Sequence, residues 1–237
     1  MNPLPLLTAA IFDVDGVLLA SPHERAWREA LQGLTEPERF TTALYQAAVA
    51  GKPRLSGARA ALEALGVPDA EKRAPAYAET KQKRLVALIH AGHVAAFPDA
   101  LRFVQAIRAL GWPMAVASSS KNANQMMQTV AVGAGRTLFD MFGANDCGRT
   151  LTHGKPAPEI FLLAATALGV EPTCCFVAED SPAGIKAARA GGMRALGVAR
   201  LGDAAGLRAA GADIVVTSLD EVAIDALKQG RLKRCAP

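Results

Sequence analysis

AIFDVDGVLLASPHERAW, residues 10–27, decides how the rest of the chain is read. The apolar stretch Ala10 to Phe12 runs straight into Asp13, Val14, Asp15 and Gly16. An apolar run of this kind is strand-like, and a buried strand has no structural use for two carboxylates at its end. Like charges there cost folding energy unless a cation or a ligand compensates them. Asp-x-Asp-Gly is also good turn chemistry, so the pair reads as a site only if the chain supplies complementary groups elsewhere.

Outward from that stretch, segments from Ala96 onward alternate between strand and helix. PDALRFVQAIRALG reads as an amphipathic helix ending at Gly111, and PMAVASSS as a short strand running into hydroxyl residues. NANQMMQTVAV reads as helix, LFDMF as a short strand, and APEIFLLAATALG as a helix closed by Gly169. CCFVAED is a strand ending in carboxylates, SPAGIKAARAGG a helix with Ser181 as N-cap, and MRALGV and ADIVVTS further strands before a last helix from Leu219. This rhythm implies an α/β fold: a Rossmann-like, doubly wound parallel sheet that includes TAAIFDV, residues 8–14. Residues 21–95 differ. They carry helical periodicity throughout, as in PHERAWREALQGL and RLSGARAALEALG, and read as an all-helical cap inserted after the first strand. The expected division is a core of residues 1–20 and 96–237 and a cap of residues 21–95.

Composition narrows the class. A chain of 237 residues, 51% hydrophobic, can bury a large core. The net charge of +4 is scattered along helices without aromatic interleaving, which argues against nucleic acid. KQGRLKRCAP at the C-terminus reads as a frayed, solvated tail. Cys147, Cys174, Cys175 and Cys235 have neither metal nor disulfide spacing and suit a reducing compartment. MNPLPLLTAAIF lacks a positive n-region and no apolar run reaches membrane-spanning length, so a cytoplasmic, monomeric protein without a membrane partner is expected.

In open parallel sheets ligands bind beyond the carboxyl ends of the strands. Four such ends carry complementary groups here: Asp13 and Asp15; Ser118 to Asn122; Lys155 in HGKPAPEIF; and Glu179 with Asp180. Together they offer a nucleophile, an acid/base, hydroxyl and amine donors for phosphate, and carboxylates for a hard cation. In this order and combination they resemble the haloacid dehalogenase superfamily along the whole chain. The resemblance implies that Asp13 attacks a phosphoryl group and becomes an aspartyl-phosphate, while Asp15 protonates the leaving oxygen and activates the acceptor. It further implies that Ser118 and Lys155 hold the transferring oxygens, and that Mg²⁺ sits on Asp13, the Asp15 carbonyl and Asp180 with help from Glu179.

A closer resemblance lies in the cap. ASSSKNA is similar to a run in β-phosphoglucomutases, HERAW (His23 to Trp27) to their His-x-x-Ala-Trp motif, and GKPR (Gly51 to Arg54) to their phosphate-gripping cap loop. Lys81 stands where that subfamily has a cap lysine near the sugar, although KQKR alone reads as a solvated charge run. The resemblance places Ser119, Ser120, Lys121 and Asn122 against the sugar or its second phosphate. Departures are the short LLASP interval, Ala20-Ser21 in place of an acidic-hydroxyl pair, Lys52-Pro53, and Gly57. They bear on the sugar, and on whether the phosphoryl group returns to it or goes to water. The expected activity is thus phosphoryl transfer on a small phosphosugar, by a mutase or by a phosphatase. A non-catalytic sugar-phosphate sensor is the remote alternative, since it would not need Asp13 and Asp15 together. A dehalogenase would not use Asp15.

Overall fold

The computed structural model describes residues 5–235. Six parallel strands form one sheet: β1 (Ala9–Phe12), β4 (Met114–Val116), β7 (Ala144–Asn145), β8 (Cys175–Glu179), β9 (Arg194–Val198) and β10 (Ile214–Val216). Their spatial order is β10-β9-β8-β1-β4-β7, with β1 at the centre, where the winding changes direction. The doubly wound architecture expected from the alternation is therefore present.

Period-two alternation explains why these short runs are strands. Ala10, Phe12, Phe176 and Ala178 join one hydrophobic cluster, while Ala9, Ile11, Cys175 and Val177 join the cluster on the other face. The first face is covered by α5 (Pro98–Ala109) and α6 (Ala123–Gln128), and the second by α7 (Glu159–Leu168), α8 (Pro182–Ala190) and α9 (Ala204–Ala209). Phe12, Phe103 and Phe176 meet edge-on or tilted at about 6 Å, with centroid distances of 6.1 to 6.2 Å. Each such buried ring contributes roughly 1.5–3 kcal/mol of apolar burial.

Between β1 and β4 the chain makes a two-stranded ribbon, β2 (Leu19–Ala20) against β3 (Ala95–Ala96). The residues between them are helical: α1 (His23–Glu29), a short turn α2 (Thr42–Leu44) running into a π-helical turn Tyr45–Val49, α3 (Arg54–Ala64) and α4 (Ala70–His90). They enclose a third cluster around Trp27, Leu31, Phe40, Leu62 and Tyr77. No helix among the described residues is long and apolar enough to cross a membrane.

Local chemistry overrode several expectations. LFDMF is a 3-10 turn (Leu138–Met141), because Asp140 accepts from the Thr137 amide at 2.7 Å and hydroxyl at 2.8 Å and so caps a helical turn. The TVAV end of the expected helix instead opens a hairpin, β5 (Ala131–Gly133) with β6 (Arg136–Thr137), through Gly133, Ala134 and Gly135, all at positive φ. Leu219 begins a 3-10 turn, and α10 (Ile224–Leu227) follows. The C-terminal run is strapped rather than frayed: Ala223 N–H donates to Lys233 O at 2.9 Å, Cys235 N–H to Glu221 O at 2.7 Å, and Arg234 pairs with Glu221. Its last two residues lie outside the described part, as do the first four of the N-terminal run.

Candidate active site

Asp13 directly follows the central strand, its amide bonded to Ala178 O at 3.0 Å, and its side chain is buried. Lys155 Nζ donates to Asp13 Oδ1 at 2.6 Å and to Glu179 Oε1 at 2.5 Å. Burial works to lower the Lys155 pKa, yet these two carboxylates outweigh it and hold the ammonium above lysine's usual value. Burial pushes the Asp13 carboxyl up to about 7, with Lys155 opposing and Glu179 and Asp15 adding to the rise. Ser118, beyond the end of β4, is buried, and its Oγ accepts from the Ser120 amide at 3.2 Å.

Glu179 and Asp180 look interchangeable in sequence and are not. Glu179 ends β8 with the same parity as Cys175 and Val177 and turns inward. Its Oε1 is taken by Lys155, and its Oε2 by the Ser181 amide at 2.8 Å and hydroxyl at 2.9 Å. Gly184 is required beneath it, since a Cβ there would lie 1.9 Å from Oε1. Both Glu179 oxygens are thus engaged, one by Lys155 and the other by Ser181. Ser181 also caps α8, its Oγ accepting from Gly184 N–H at 3.1 Å.

Asp180 faces the cavity, and its carboxylate packs so close to Gly16 that a Cβ there would sit 2.0 Å from Oδ2. Burial first, then Glu179 and Asp13, raise its pKa well above the usual carboxylate range. Two carboxylates facing one cavity, Asp13 buried and Asp180 half-buried, both pushed toward protonation, are what a bound cation would relieve. No three His, Cys, Asp or Glu groups form a ready metal cage among the described residues. Mg²⁺ does not require one, because it keeps several waters and takes one or two carboxylates. Asp13 and Asp180, both facing the cavity, fit that role. Asp15 Oδ1 is buried without a hydrogen-bond partner among the described residues.

Above these groups stands a cap-side set. His23, the first residue of α1, lies between Lys81 and Ser120: Nδ1 is 3.0 Å from Lys81 Nζ and Nε2 is 3.2 Å from Ser120 Oγ. An ammonium only donates, so Nδ1 accepts and Nε2 carries the proton. That N–H is also 3.7 Å from Asp15 Oδ1. Burial, with Lys81 adding, lowers the His23 pKa to about 4 and keeps the ring neutral. Lys81 is 2% exposed and sits 4.8 Å over the Trp27 ring, not on a solvated face. Trp27 belongs to the cap core, tilted against Tyr77 with ring centroids 5.2 Å apart, and also lines the cavity.

Gly51, at φ +75°, brings the cap loop onto the core, where a Cβ would meet Ser181 Oγ at 2.5 Å. Its carbonyl accepts from Ser119 Oγ at 3.3 Å, so Gly51 acts through its backbone. Asn122 pairs with Gln82 of α4 through both amide groups, at 2.9 and 3.2 Å. Arg54 and Lys121 are exposed and line the cavity from the cap and the core. The cavity holds about 360 Å³, within the range of small-molecule sites. Every expected site residue except Glu179 lines it or, as with Lys155, touches one that does. Tyr45, Lys52, Gln82 and Arg149 also line it and were missed. They sit mid-helix or in a loop, where no local pattern separates a cavity residue from a solvated one.

The chain belongs to the haloacid dehalogenase-like hydrolases, whose family model matches residues 7–192. Within that superfamily it is an enzyme of the β-phosphoglucomutase-like group of phosphatases and phosphomutases. It is 36% identical over 239 residues to a β-phosphoglucomutase of Mycobacterium tuberculosis, covering 90% of each chain. To the fructose-1-phosphate phosphatase YqaB of Escherichia coli it is 36% identical over 196 residues, covering 79% of this chain and 94% of the relative. The solved β-phosphoglucomutase of Clostridium difficile superposes with a TM-score of 0.75 at 25% identity, over 95% and 97% of the two chains. An archaeal β-phosphoglucomutase from Pyrococcus superposes at 0.71 and 29% identity, over 94% and 99%.

Proposed function

We propose that the chain transfers the phosphoryl group of a small phosphosugar through an aspartyl-phosphate at Asp13, in the manner of a β-phosphoglucomutase. The observation that carries this reading is the pairing of two half-sites across one cavity. Asp13, Lys155 and Asp180 lie on the core side, and a second set of donors and cations (His23, Arg54, Lys81, Ser120 and Lys121) faces them. Phosphoryl transfer is mostly positioning and charge compensation, and a sugar that gives up a phosphate at one end and regains it at the other needs both ends held.

An Asp13 oxygen attacks phosphorus, the ester P–O bond breaks, and Asp15 gives its proton to the departing sugar oxygen. In the second half Asp15 takes the proton of the acceptor hydroxyl, whose oxygen attacks the aspartyl-phosphate and releases the Asp13 carboxylate. Ser118 Oγ and Lys155 Nζ stabilise the transferring oxygens, while Glu179 and Ser181 hold Lys155 in place. Mg²⁺, held by Asp13, Asp180 and the Asp15 carbonyl, would neutralise charge on the transferring group. The division into a core of residues 1–20 and 96–237 and a cap of residues 21–95 belongs to the same reading. It is supported by the ribbon at Leu19–Ala20 and Ala95–Ala96 and by the separate cluster around Trp27.

A sugar-phosphate phosphatase is the second reading, favoured by the likeness to YqaB. The test is incubation with Mg²⁺ and β-glucose 1-phosphate, primed with glucose 1,6-bisphosphate, following glucose 6-phosphate and free phosphate, with Asp13→Asn as the blank. Glucose 6-phosphate rising ahead of free phosphate establishes the mutase. Free phosphate alone, lost in Asp13→Asn, establishes the phosphatase. Neither product, across a wider panel of phosphosugars, rejects the substrate class.

A further inference from the structure

Arg200 lies beyond the end of β9, away from the cavity, yet every face of its guanidinium is engaged. Nε donates to Gly16 O at 3.1 Å, Nη2 to Val17 O at 3.0 Å and Nη1 to Asp99 Oδ2 at 3.0 Å, while the plane stacks 3.8 Å from the Phe97 ring centroid. Its side chain is 13% exposed. Asp99, buried at the start of α5, is itself fixed by the Leu219 amide at 2.7 Å and Ser218 Oγ at 3.0 Å.

The two carbonyls that Arg200 grips are the tip of the turn after Asp15. That turn is closed by Gly16 N–H to Leu19 O and by the Leu18 and Leu19 amides to Val14 O, each at 2.9 Å. Neither tip carbonyl receives another donor among the described residues. Gly16 is also the residue against which the Asp180 carboxylate rests, with no room for a Cβ. Phe97, under the guanidinium, donates its amide to Leu18 O at 3.0 Å, one residue beyond the return strand of the ribbon that leads to the cap.

We propose that Arg200 is a positioning residue for phosphoryl transfer, fixing the Asp15–Gly16 turn against Asp180 and tying that turn to the hinge of the cap. The inference rests on the phosphoryl-transfer reading above for its kinetic consequence, but its geometry does not depend on which phosphate ester is the substrate. Lysine cannot replace it, because one ammonium cannot serve two carbonyls and a carboxylate while stacking flat on a ring.

The experiment compares wild type with Arg200→Lys and Arg200→Gln. Amide hydrogen exchange over residues 14–20 is measured without ligand, and kcat, KM and the ratio of glucose 6-phosphate to free phosphate are measured with Mg²⁺. In Arg200→Lys, exchange of this turn accelerates about ten-fold or more while the sheet amides keep their protection. Turnover falls about 10- to 10²-fold with KM changed less than about three-fold, as small displacements of reacting groups do. A looser hinge also admits water, so the share of free phosphate rises. Unchanged exchange overturns the proposal, and so does accelerated exchange with wild-type kcat, which would make Arg200 a brace only. If wild type acts on no phosphosugar, the substrate reading fails. The Arg200 question is then decided by exchange together with hydrolysis of p-nitrophenyl phosphate. Should Arg200→Gln not fold, Arg200→Lys alone carries the test.

Discussion

The two halves of the site are each built around a buried lysine, and the two lysines are in opposite electrostatic situations. Lys155, on the core side, is 3% exposed and lies within 2.6 Å of two carboxylates. Lys81, on the cap side, is 2% exposed and has a neutral imidazole and an indole face for company. Burial costs both ions solvation. Asp13 and Glu179 more than offset that at Lys155 and hold its pKa up, whereas at Lys81 burial, reinforced by Arg54 and only opposed by Asp15, lowers the pKa to about 7. Lys155 is thus compensated by protein groups before substrate arrives, while Asp13 and Asp180 beside it would still gain from a bound cation. The cap half is under-compensated, and an anionic ligand would complete it.

The contrast is sharpest at Lys155. Lys155→Met leaves two buried carboxylates without their cation, so unfolding by urea should show a loss of about 3–5 kcal/mol. Turnover should fall about 10³-fold or more, since the transferring oxygens lose their ammonium. A variant as stable as wild type would break the claim that Lys155 and its two carboxylates compensate one another.

Lys81→Met should have the opposite sign in stability. The folded pKa of Lys81 is depressed from 10.5 to about 7, so between those values the unfolded chain binds more protons and wild-type stability rises with pH. Below 7 the cost of the buried ammonium is fully present, and above 10.5 it is gone. Measured by urea unfolding, Lys81→Met should therefore be more stable than wild type by about 2–4 kcal/mol at pH 6, with the gap closing toward pH 10. KM for the sugar phosphate should nonetheless rise about ten-fold. Equal pH slopes in the two proteins would show that Lys81 is compensated after all.

The exposed cations should give the smallest effects. Arg54→Ala and Lys121→Ala should change stability by no more than about 0.5 kcal/mol. KM should rise several-fold with kcat nearly kept, and added salt should raise the wild-type KM toward that of the variants. A fall in kcat with KM unchanged would move these residues from holding the far end of the substrate to the transfer step itself.

The sequence determined β1, β4, β8, β9 and β10, because a sheet buried on both faces leaves little freedom in apolar runs such as AIF or CFVAE, whereas the two-residue β7 (Ala144–Asn145) left no such run to read. It also brought complementary groups to their ends, and the structure gathers Asp13, Asp15 and Asp180 around one cavity with Lys155 on Asp13. LFDMF misled because an apolar run carries no sign that Asp140 will cap it locally. The tail misled because its anchors, Glu221 and Ala223, are reached through the fold and not along the chain. Glu179 and Asp180 were not told apart because two neighbouring carboxylates are chemically alike, and only the direction each takes from the strand end separates a partner of Lys155 from a group facing the cavity. Only the tertiary structure decided that Lys81 is buried against His23 and Trp27, that Tyr45 and Arg149 reach the cavity, and that Arg200 closes on a turn 184 residues earlier in the chain. The reason is physical: alternation and residue chemistry are local properties, whereas the solvation of a charge and the partner of a carbonyl depend on which distant segments exclude water around them.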